Sequence, residues 1–439
     1  MFPPDHALRI TLADEVHARP PEPVRAPARA SYVAVLVDAE DRPRELAHLA
    51  ALCARHSVAA PAAGATHFRA QLGALRLKWE RHGEFSGYTV IAEGAGPQLF
   101  AQAAGELLTP GWLAAIPGAT IAAVHAELLA GADALPTADA LSQALEGQTP
   151  IGADIADGAA RVHTDFQLHD GCTRFLLIDQ GLSERQAGRT LQRLFEIEAY
   201  RMLALLALPI ARRQSPRIVE IESALGALTD GLAQSPGSTR DDEAMLHELT
   251  RLAAEIESGL AASQFRFGAC RAYDELVRRR ISELRETRLP GMQTLDEFMA
   301  RRFTPAVATC VTVSQRLHDL SERVAQASSL LSTRVDIARE RQNQALLASM
   351  DRRAHFQLRL QQTVEGLSVV AICYYAAGLV AYAAKALKTA GLLRIDPDLV
   401  VAASIPLVAL VAVLALRKVH SRISAADRAA SSASEPHSL

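Results

Sequence analysis

Three short stretches of this 439-residue chain gather side chains able to do chemistry. The first is Asp14-Glu15-Val16-His17-Ala18-Arg19-Pro20-Pro21, in which Glu15, His17 and Arg19 could hold a metal or an anion beside a rigid turn. The plainer reading is a solvated loop whose side chains pair with a neighbouring strand. The second is Lys78-Trp79-Glu80-Arg81-His82-Gly83-Glu84. On a strand, Lys78, Glu80 and His82 share one face, an arrangement suited to proton transfer or anion binding. Cross-strand ion pairing on an exposed sheet face accounts for the same residues. The third, from Gly188 to Arg201, is the densest. On a helix, Arg189, Arg193, Glu196 and Tyr200 fall at i, i+4, i+7 and i+11 and form one polar stripe. Arginine presents a planar fork to phosphate, so Arg189, Arg193 and Glu196 are candidates around a phosphate-bearing ligand. The alternative is a salt-bridge ladder that docks the helix on its neighbour.

No recognised motif completes any of these sites. The chain has no G-x-x-x-x-G-K-[ST] phosphate loop and no G-x-S-x-G elbow. Gly94-Ala95-Gly96 is followed by Leu99 where a dinucleotide fingerprint requires its third glycine. His247-Glu248 begins like H-E-x-x-H, but Arg251 stands where the second zinc ligand belongs. No catalytic residue, cofactor or metal is therefore expected. Cys53, Cys172, Cys270, Cys310 and Cys373 lie far apart without a C-x-x-C, which fits a reducing compartment. A net charge of −3 leaves no basic footprint for nucleic acid.

The elements that must position these residues follow two patterns. Up to about residue 214 the chain reads as α+β. Ser31–Val37 is a short apolar strand, and Arg44–Arg55 carries Leu46, Leu49, Leu52 and Cys53 at helical spacing. His67–Leu72 and Leu75–His82 are strand-like, and in the second Leu75, Leu77 and Trp79 alternate with polar residues, predicting one buried face. Phe85–Ile91 can pair with it through a short turn, and Ile121–Leu129 suits strand or helix. Arg161–Leu168 and Thr173–Ile178 read as a hairpin around His169-Asp170-Gly171, because Asp-Gly tolerates positive φ. Ser183–Leu208 reads as a long helix ending at Pro209.

From Pro216 onward the pattern is all helical, with breaks at Ser235-Pro236-Gly237 and Leu289-Pro290-Gly291. Between Pro305 and Gly366 run 60 residues without a Gly or Pro, enough for a helix of about 90 Å. Its apolar stripe passes through Leu317, Leu320, Val324, Ala327, Leu331, Val335 and Ala338, thins at Gln342, and resumes at Leu346, Met350, Ala354 and Leu358. The spacing drifts from a strict heptad, which predicts packing among several helices rather than one dimeric zipper.

Leu367–Ala384 and Leu399–Leu416 contain no charged side chain and meet the roughly 17–25 residues that a membrane helix needs. They predict a transmembrane hairpin within residues 366–416, its connector Lys385–Asp398 too short for a domain. Arg352, Arg353 and Arg359 precede it and Arg417, Lys418, Arg422 and Arg428 follow, against Lys385, Lys388 and Arg394 in the connector. That count favours cytoplasmic ends only slightly. The N-terminus lacks the pattern of a secretory signal, which favours them more. The tail after Arg428 is polar and expected to be disordered. Gln361, Ser368, Tyr375 and Tyr382, spaced by sevens, form a candidate transmembrane seam; backbone bonding by Ser368 and an interfacial place for Tyr382 explain it more simply. Neither span contains an acidic residue, which weakens a proton or cation path.

The segments EVHARPPE, LRLKWERHGEF, GRTLQRLFEIEAYRMLALLALP and TRVDIARERQNQALLASMDRRAHFQLRLQQTVEGLSVVAICYY together resemble a bacterial family known as domain of unknown function 3422, of predicted membrane-anchored proteins. The resemblance covers nearly the whole chain. It implies residence in the inner membrane and supplies no catalytic residues. In architecture alone the chain is similar to CorA-type magnesium channels, although Tyr382–Lys388 lacks their Gly-Met-Asn triad and places two lysines there. The expectation is a cytoplasmic α+β domain (1–214), a helical or coiled-coil stalk (215–365), a transmembrane hairpin (366–416) and a polar cytoplasmic tail (417–439). Its partners would be the lipid bilayer and further copies of itself through the long helices, with no nucleic acid and a protein or small-molecule partner of unknown identity. A structural, scaffolding or sensing module fits best, and a CorA-like oligomeric channel is the alternative.

Overall fold

The strand-like runs of the N-terminal half meet in one mixed sheet of ten strands. A computed structural model describes residues 3–10, 12–13, 20–131, 136–234, 239–389 and 396–432. The strands are β1 (Ala28–Leu36), β2 (His67–Leu72), β3 (Leu75–Arg81), β4 (Phe85–Glu93), β5 (Ala119–Ala130), β6 (Ile151–Ile155), β7 (Ala160–Thr164), β8 (Leu168–His169), β9 (Cys172–Asp179) and β10 (Thr287–Arg288). Their spatial order is β10-β6-β7-β9-β5-β1-β4-β3-β2, with β8 on β9. The β5–β9 pair is parallel, whereas β1 is antiparallel to both β4 and β5. Strand β1 is central and covered on both faces, so Ala28–Leu36 is buried nearly throughout. Residues 119–130, open to either reading from sequence, are strand. Asp170 and Gly171 take φ of 50° and 81° and form the two-residue turn between β8 and β9.

The helices are α1 (Arg42–Arg55), α2 (Ala138–Ala144), α3 (Glu184–Leu205), α4 (Leu208–Gln234), α5 (Thr239–Leu284), α6 (Leu295–Arg302), α7 (Thr304–Thr389) and α8 (Pro397–Ser432). A reciprocal capping box starts α3, in which the Ser183 hydroxyl accepts from the Gln186 amide and the Gln186 side chain accepts from the Ser183 amide. Helix α3 lies on the sheet face formed by Ala28, Ala30, Ala34, Ala122 and Ala126, and it contributes Ala187, Ala199 and Ala204 of its own. These alanines bury little area each, but short side chains on both surfaces let helix and sheet approach closely. The same core runs on through α5, α6 and the start of α7 as far as Leu331. The chain divides after that residue into two compact units, Met1–Leu331 and Ser332–Leu439.

The structure departs from the sequence expectations at several places. The chain after Pro216 is not wholly helical, because Thr287 and Arg288 pair with Asp154 and Ala153 at the sheet edge. Two residues are too few to leave a period-two pattern. The break at Ser235-Pro236-Gly237 and part of the connector, including Arg394, lie outside the described residues. Helix α8 runs to Ser432, so residues 429–432, expected to be disordered, are helical, with Ala429 and Ala430 favouring that state.

Along α7, Leu317, Leu320, Val324, Ala327, Leu331 and Val335 are buried. The first five share a core with Ile218, Ile221 and Leu225 of α4 and Leu249, Leu252 and Ile256 of α5. Leu346, Met350 and Leu358 are exposed. Later, α7 contains an 18-residue window of mean hydropathy 1.8, and Asp398–Ala415 in α8 reaches 2.4. Both helices are long and apolar enough to cross a membrane. The windows are 6% and 0% buried within the chain, so neither serves as a core helix of this fold. Lys388 Nζ and Asp396 Oδ1, both within the connector, lie 3.7 Å apart.

Helix α1 and the segment around Trp112 cover the other face of β2–β4. There the Glu45 carboxylate, fully buried, accepts from Trp79 Nε1 at 3.0 Å, the Tyr88 hydroxyl at 2.9 Å and Arg42 at 3.1 Å. Replacing Glu45 by Ala strands the Trp79 and Tyr88 donors and takes the counter-charge from Arg42, which keeps its bond to the Ser86 hydroxyl at 2.7 Å. We expect Glu45→Ala to lower unfolding free energy by about 3–5 kcal/mol, read from the urea midpoint.

Candidate functional site

Two of the three polar stretches marked in the sequence converge where α3 lies between the sheet and α5. Strand β3 supplies Lys78 and Glu80, whose charged ends are 2.9 Å apart. Their face is covered, with Lys78 4% and Glu80 7% exposed. This differs from the solvent-facing ladder that the alternation of β3 suggested, because α3 covers that side of the strand. Lys78 Nζ donates to Gln192 Oε1 at 3.3 Å, and Gln192 Nε2 donates to Glu196 Oε1 at 2.7 Å. Arg280 of α5 donates to the other oxygen of Glu196 and, at 3.1 Å, to both oxygens of Glu283. Glu283 also accepts from Arg193 Nε at 3.0 Å. Arg193 therefore bonds across helices, and Glu196 bonds both along α3 and across to α5.

The stripe on α3 changes environment along its length. Arg189 is exposed, Arg193 and Glu196 are half-buried, and Tyr200 is buried. Tyr200 stacks on Tyr273 of α5 at 5.6 Å and meets the edge of Phe85. Phe85 in turn stacks on His82, which lies one residue beyond the end of β3. Tyr32 of β1 stacks on Phe195 at 5.2 Å. Burial, reinforced by nearby Glu196 and Glu80, holds the Tyr32 and Tyr200 hydroxyls well above the usual phenol range. Tyr273, raised by burial and by Glu84, donates to that carboxylate at 3.2 Å, and Arg266 pairs with its other oxygen at 2.7 Å. Such a site holds its protons firmly and suits positioning or recognition more than proton transfer near neutral pH.

Glu15, His17 and Arg19 lie outside the described residues. The chain that follows them reaches the same region. Glu22 pairs with Arg69 at 2.8 Å, and the Val24 amide donates to the Glu184 carbonyl at 2.9 Å. Glu22 and Val24 line a small cavity with Lys78, Gly188 and Gln192. A Cβ at Gly188 would collide with the Glu22 carbonyl oxygen. Of the remaining candidates, Ser368 donates to the Val364 carbonyl of its own helix at 2.9 Å. Gln361, Tyr375 and Tyr382 are exposed on α7, outside the polar cluster.

A second cluster, on the opposite sheet face, was not anticipated. Arg29 of β1 reaches Gln102 Oε1 at 2.9 Å and lies across from Glu127, which accepts from the Phe100 amide at 2.7 Å. His169, buried, places Nε2 2.6 Å from Asp165 and Nδ1 3.3 Å from Glu146. Arg174 also pairs with Glu146 at 3.0 Å. Asp165, His169 and Arg174 are near in sequence, but strand register and the packing of distant loops bring them to Glu146 and set Arg29 across from Glu127. Burial, aided by Arg174 and Arg29, pushes His125 down to about 4; burial, with Arg161, does the same to His163. Among the described residues no group of three or more His, Cys, Asp or Glu side chains is placed to hold a metal ion.

The family described as "Protein of unknown function (DUF3422)" matches residues 4–423, and the chain belongs to it. No curated protein and no solved structure matches. The likeness to CorA-type channels thus finds no support.

Two outcomes test this packing. Gly188→Ala should displace residues 20–24, seen as lost hydrogen-exchange protection at the Val24 amide together with a destabilisation of about 1–3 kcal/mol. The second concerns pH. An unfolded His125 titrates near 6.5 and the folded one near 4, so the unfolded state takes up the proton first as pH falls between those values. His125 therefore lowers stability progressively below about pH 6.5, by about 3 kcal/mol at pH 4, and His125→Gln should remove that part of the slope. Comparison with wild type isolates it from Glu286, which burial pushes up to about 7 and which acts with the opposite sign.

Proposed function

We infer that this member of the DUF3422 family is a membrane-anchored module whose α+β unit faces the cytoplasm and binds a ligand or partner. In this reading two hairpin helices, Leu367–Ala384 and Leu399–Leu416, hold it in the inner membrane with both termini cytoplasmic. The observation that carries the reading is that one helix, α7, begins in the core at Val307, Cys310 and Val313 and later contains an apolar membrane-length window. Binding in the sheet-containing unit can bias such an element only through differential contacts in two states.

Four features support the remaining parts. The hairpin windows stay unburied within the chain, as lipid-facing helices must. All five cysteines are free thiols, in keeping with a reducing compartment. Leu346, Met350 and Leu358 leave an apolar stripe on α7 open to solvent, which suits pairing with α7 of another copy. Tyr382, close to Lys385 and Lys388, has the amphipathic ring favoured at a membrane surface.

A guanidinium near the middle of each span opposes insertion by about 2.5–3.5 kcal/mol. The double variant Ile372→Arg, Leu407→Arg should therefore move the protein out of the alkali-resistant membrane fraction, and undiminished retention there would exclude the hairpin as the anchor. Alkaline phosphatase fused after Leu439 should stay inactive; full activity would reverse the orientation.

A further inference from the structure

Beside the first turns of α3 a cleft of about 380 Å³ opens towards the end of α5, lined by Gln186, Arg189, Thr190, Arg193, Glu283 and Arg285 among others. Three guanidinium groups face one carboxylate there. Glu283 is shared between Arg193 and Arg280, so it offsets only part of the positive charge of the cleft. Arg189 makes no hydrogen bond or ion pair among the described residues, and Arg193 bonds Glu283 through Nε. Arg285 pairs with Asp157 at 2.9 Å, but both side chains are more than half exposed, and such a pair contributes little and opens readily. The positive end of the α3 dipole adds to the field.

We propose that this cleft binds a compact phosphate-bearing anion, inorganic pyrophosphate or the diphosphate ester of a small non-aromatic molecule. Several arginine forks around one cavity match a group with many acceptor oxygens better than a lone carboxylate, which one fork would satisfy. Among the described residues no aromatic side chain lines the cleft, so a nucleobase would find no stacking surface there. Gln186 and Thr190 add polar side chains suited to ester or hydroxyl oxygens. Glu196, the third member of the phosphate constellation suggested by sequence, is instead bonded to Gln192 and Arg280 and takes no part. The inference goes beyond membrane anchoring and does not depend on it.

The test uses full-length protein in neutral detergent micelles at physiological salt, titrated calorimetrically with pyrophosphate. Saturable one-to-one binding is expected, weakened about tenfold or more by Arg189→Gln and by Arg285→Gln, since each removes a charge-assisted contact. Arg189 makes no hydrogen bond or ion pair among the described residues, so that variant should keep its thermal midpoint, and Arg302→Gln, outside the cleft, should bind as wild type. No saturable binding at millimolar pyrophosphate, or equal affinity in Arg189→Gln, would overturn the proposal. A repeat in nanodiscs distinguishes the source of the phosphate. Unchanged affinity with phosphatidic acid present supports a soluble ligand, whereas abolished pyrophosphate binding there, with thermal stability now raised in an Arg189-dependent way, would assign the cleft to a lipid headgroup and sink the soluble assignment.

Discussion

Helix α3 is held between two surfaces, the sheet and α5, and the Met1–Leu331 unit is organised around that double contact. Its close seat depends on small side chains, with Ala28, Ala30 and Ala34 beneath it and Ala187 and Gly188 on its own surface. Having lost water on most sides, the polar groups trapped there must satisfy one another, since an unpaired buried charge is far costlier than a paired one is beneficial. Lys78, Glu80, Gln192, Glu196, Arg280, Glu283 and Arg193 do this as an unbroken series of hydrogen bonds and ion pairs. Sliding α3 by one turn would break most of them together. The network thus fixes register where alanine packing alone would leave it loosely defined.

The same helix face grades from structure into surface. Tyr200, at its buried end, is stacked and keeps its proton; Arg189, at the other, makes no hydrogen bond or ion pair among the described residues. A single sequence stripe therefore contains both a locked ion-pair network and an open cationic cleft. The boundary between them is set by how far α5 extends beside α3. Arg280 and Glu283 occupy its last turns, and Arg285, at φ 51°, follows its end. Had α5 continued, the cleft would be closed by helix packing.

Helix α7 shows the same dependence on neighbours over a longer distance. Val324 and Leu331 are buried because α4 and α5 lie alongside, whereas Leu346 and Met350 are exposed although they are no less apolar. Hydrophobic stabilisation scales with area removed from water, so the second stretch gains it only from another molecule or from lipid. The membrane-length windows that follow are the extreme case. Their composition suits hydrocarbon, and the protein's own core does not use them.

Local pattern was sufficient for much of this. Alternation in Leu75–Arg81, helical spacing in Arg42–Arg55, the Asp170-Gly171 turn and the glycine-free, proline-free run after Pro305 each constrain only a few φ and ψ angles or one helix face, and such constraints are written in consecutive residues. The two uncharged spans and the family resemblance were likewise legible without coordinates. Tertiary structure alone decided which faces are wet. The polar side of β3 looked solvent-facing until α3 covered it, and Lys78 became a partner of Gln192, 114 residues away. It alone brought β10 back to β6 and aligned Arg29 with Glu127 across β1 and β5. Burial, ion pairing and the pKa values that follow from them depend on what packs against a residue from elsewhere in the chain. A single sequence fixes the side chain and its local direction, and the fold chooses its neighbours.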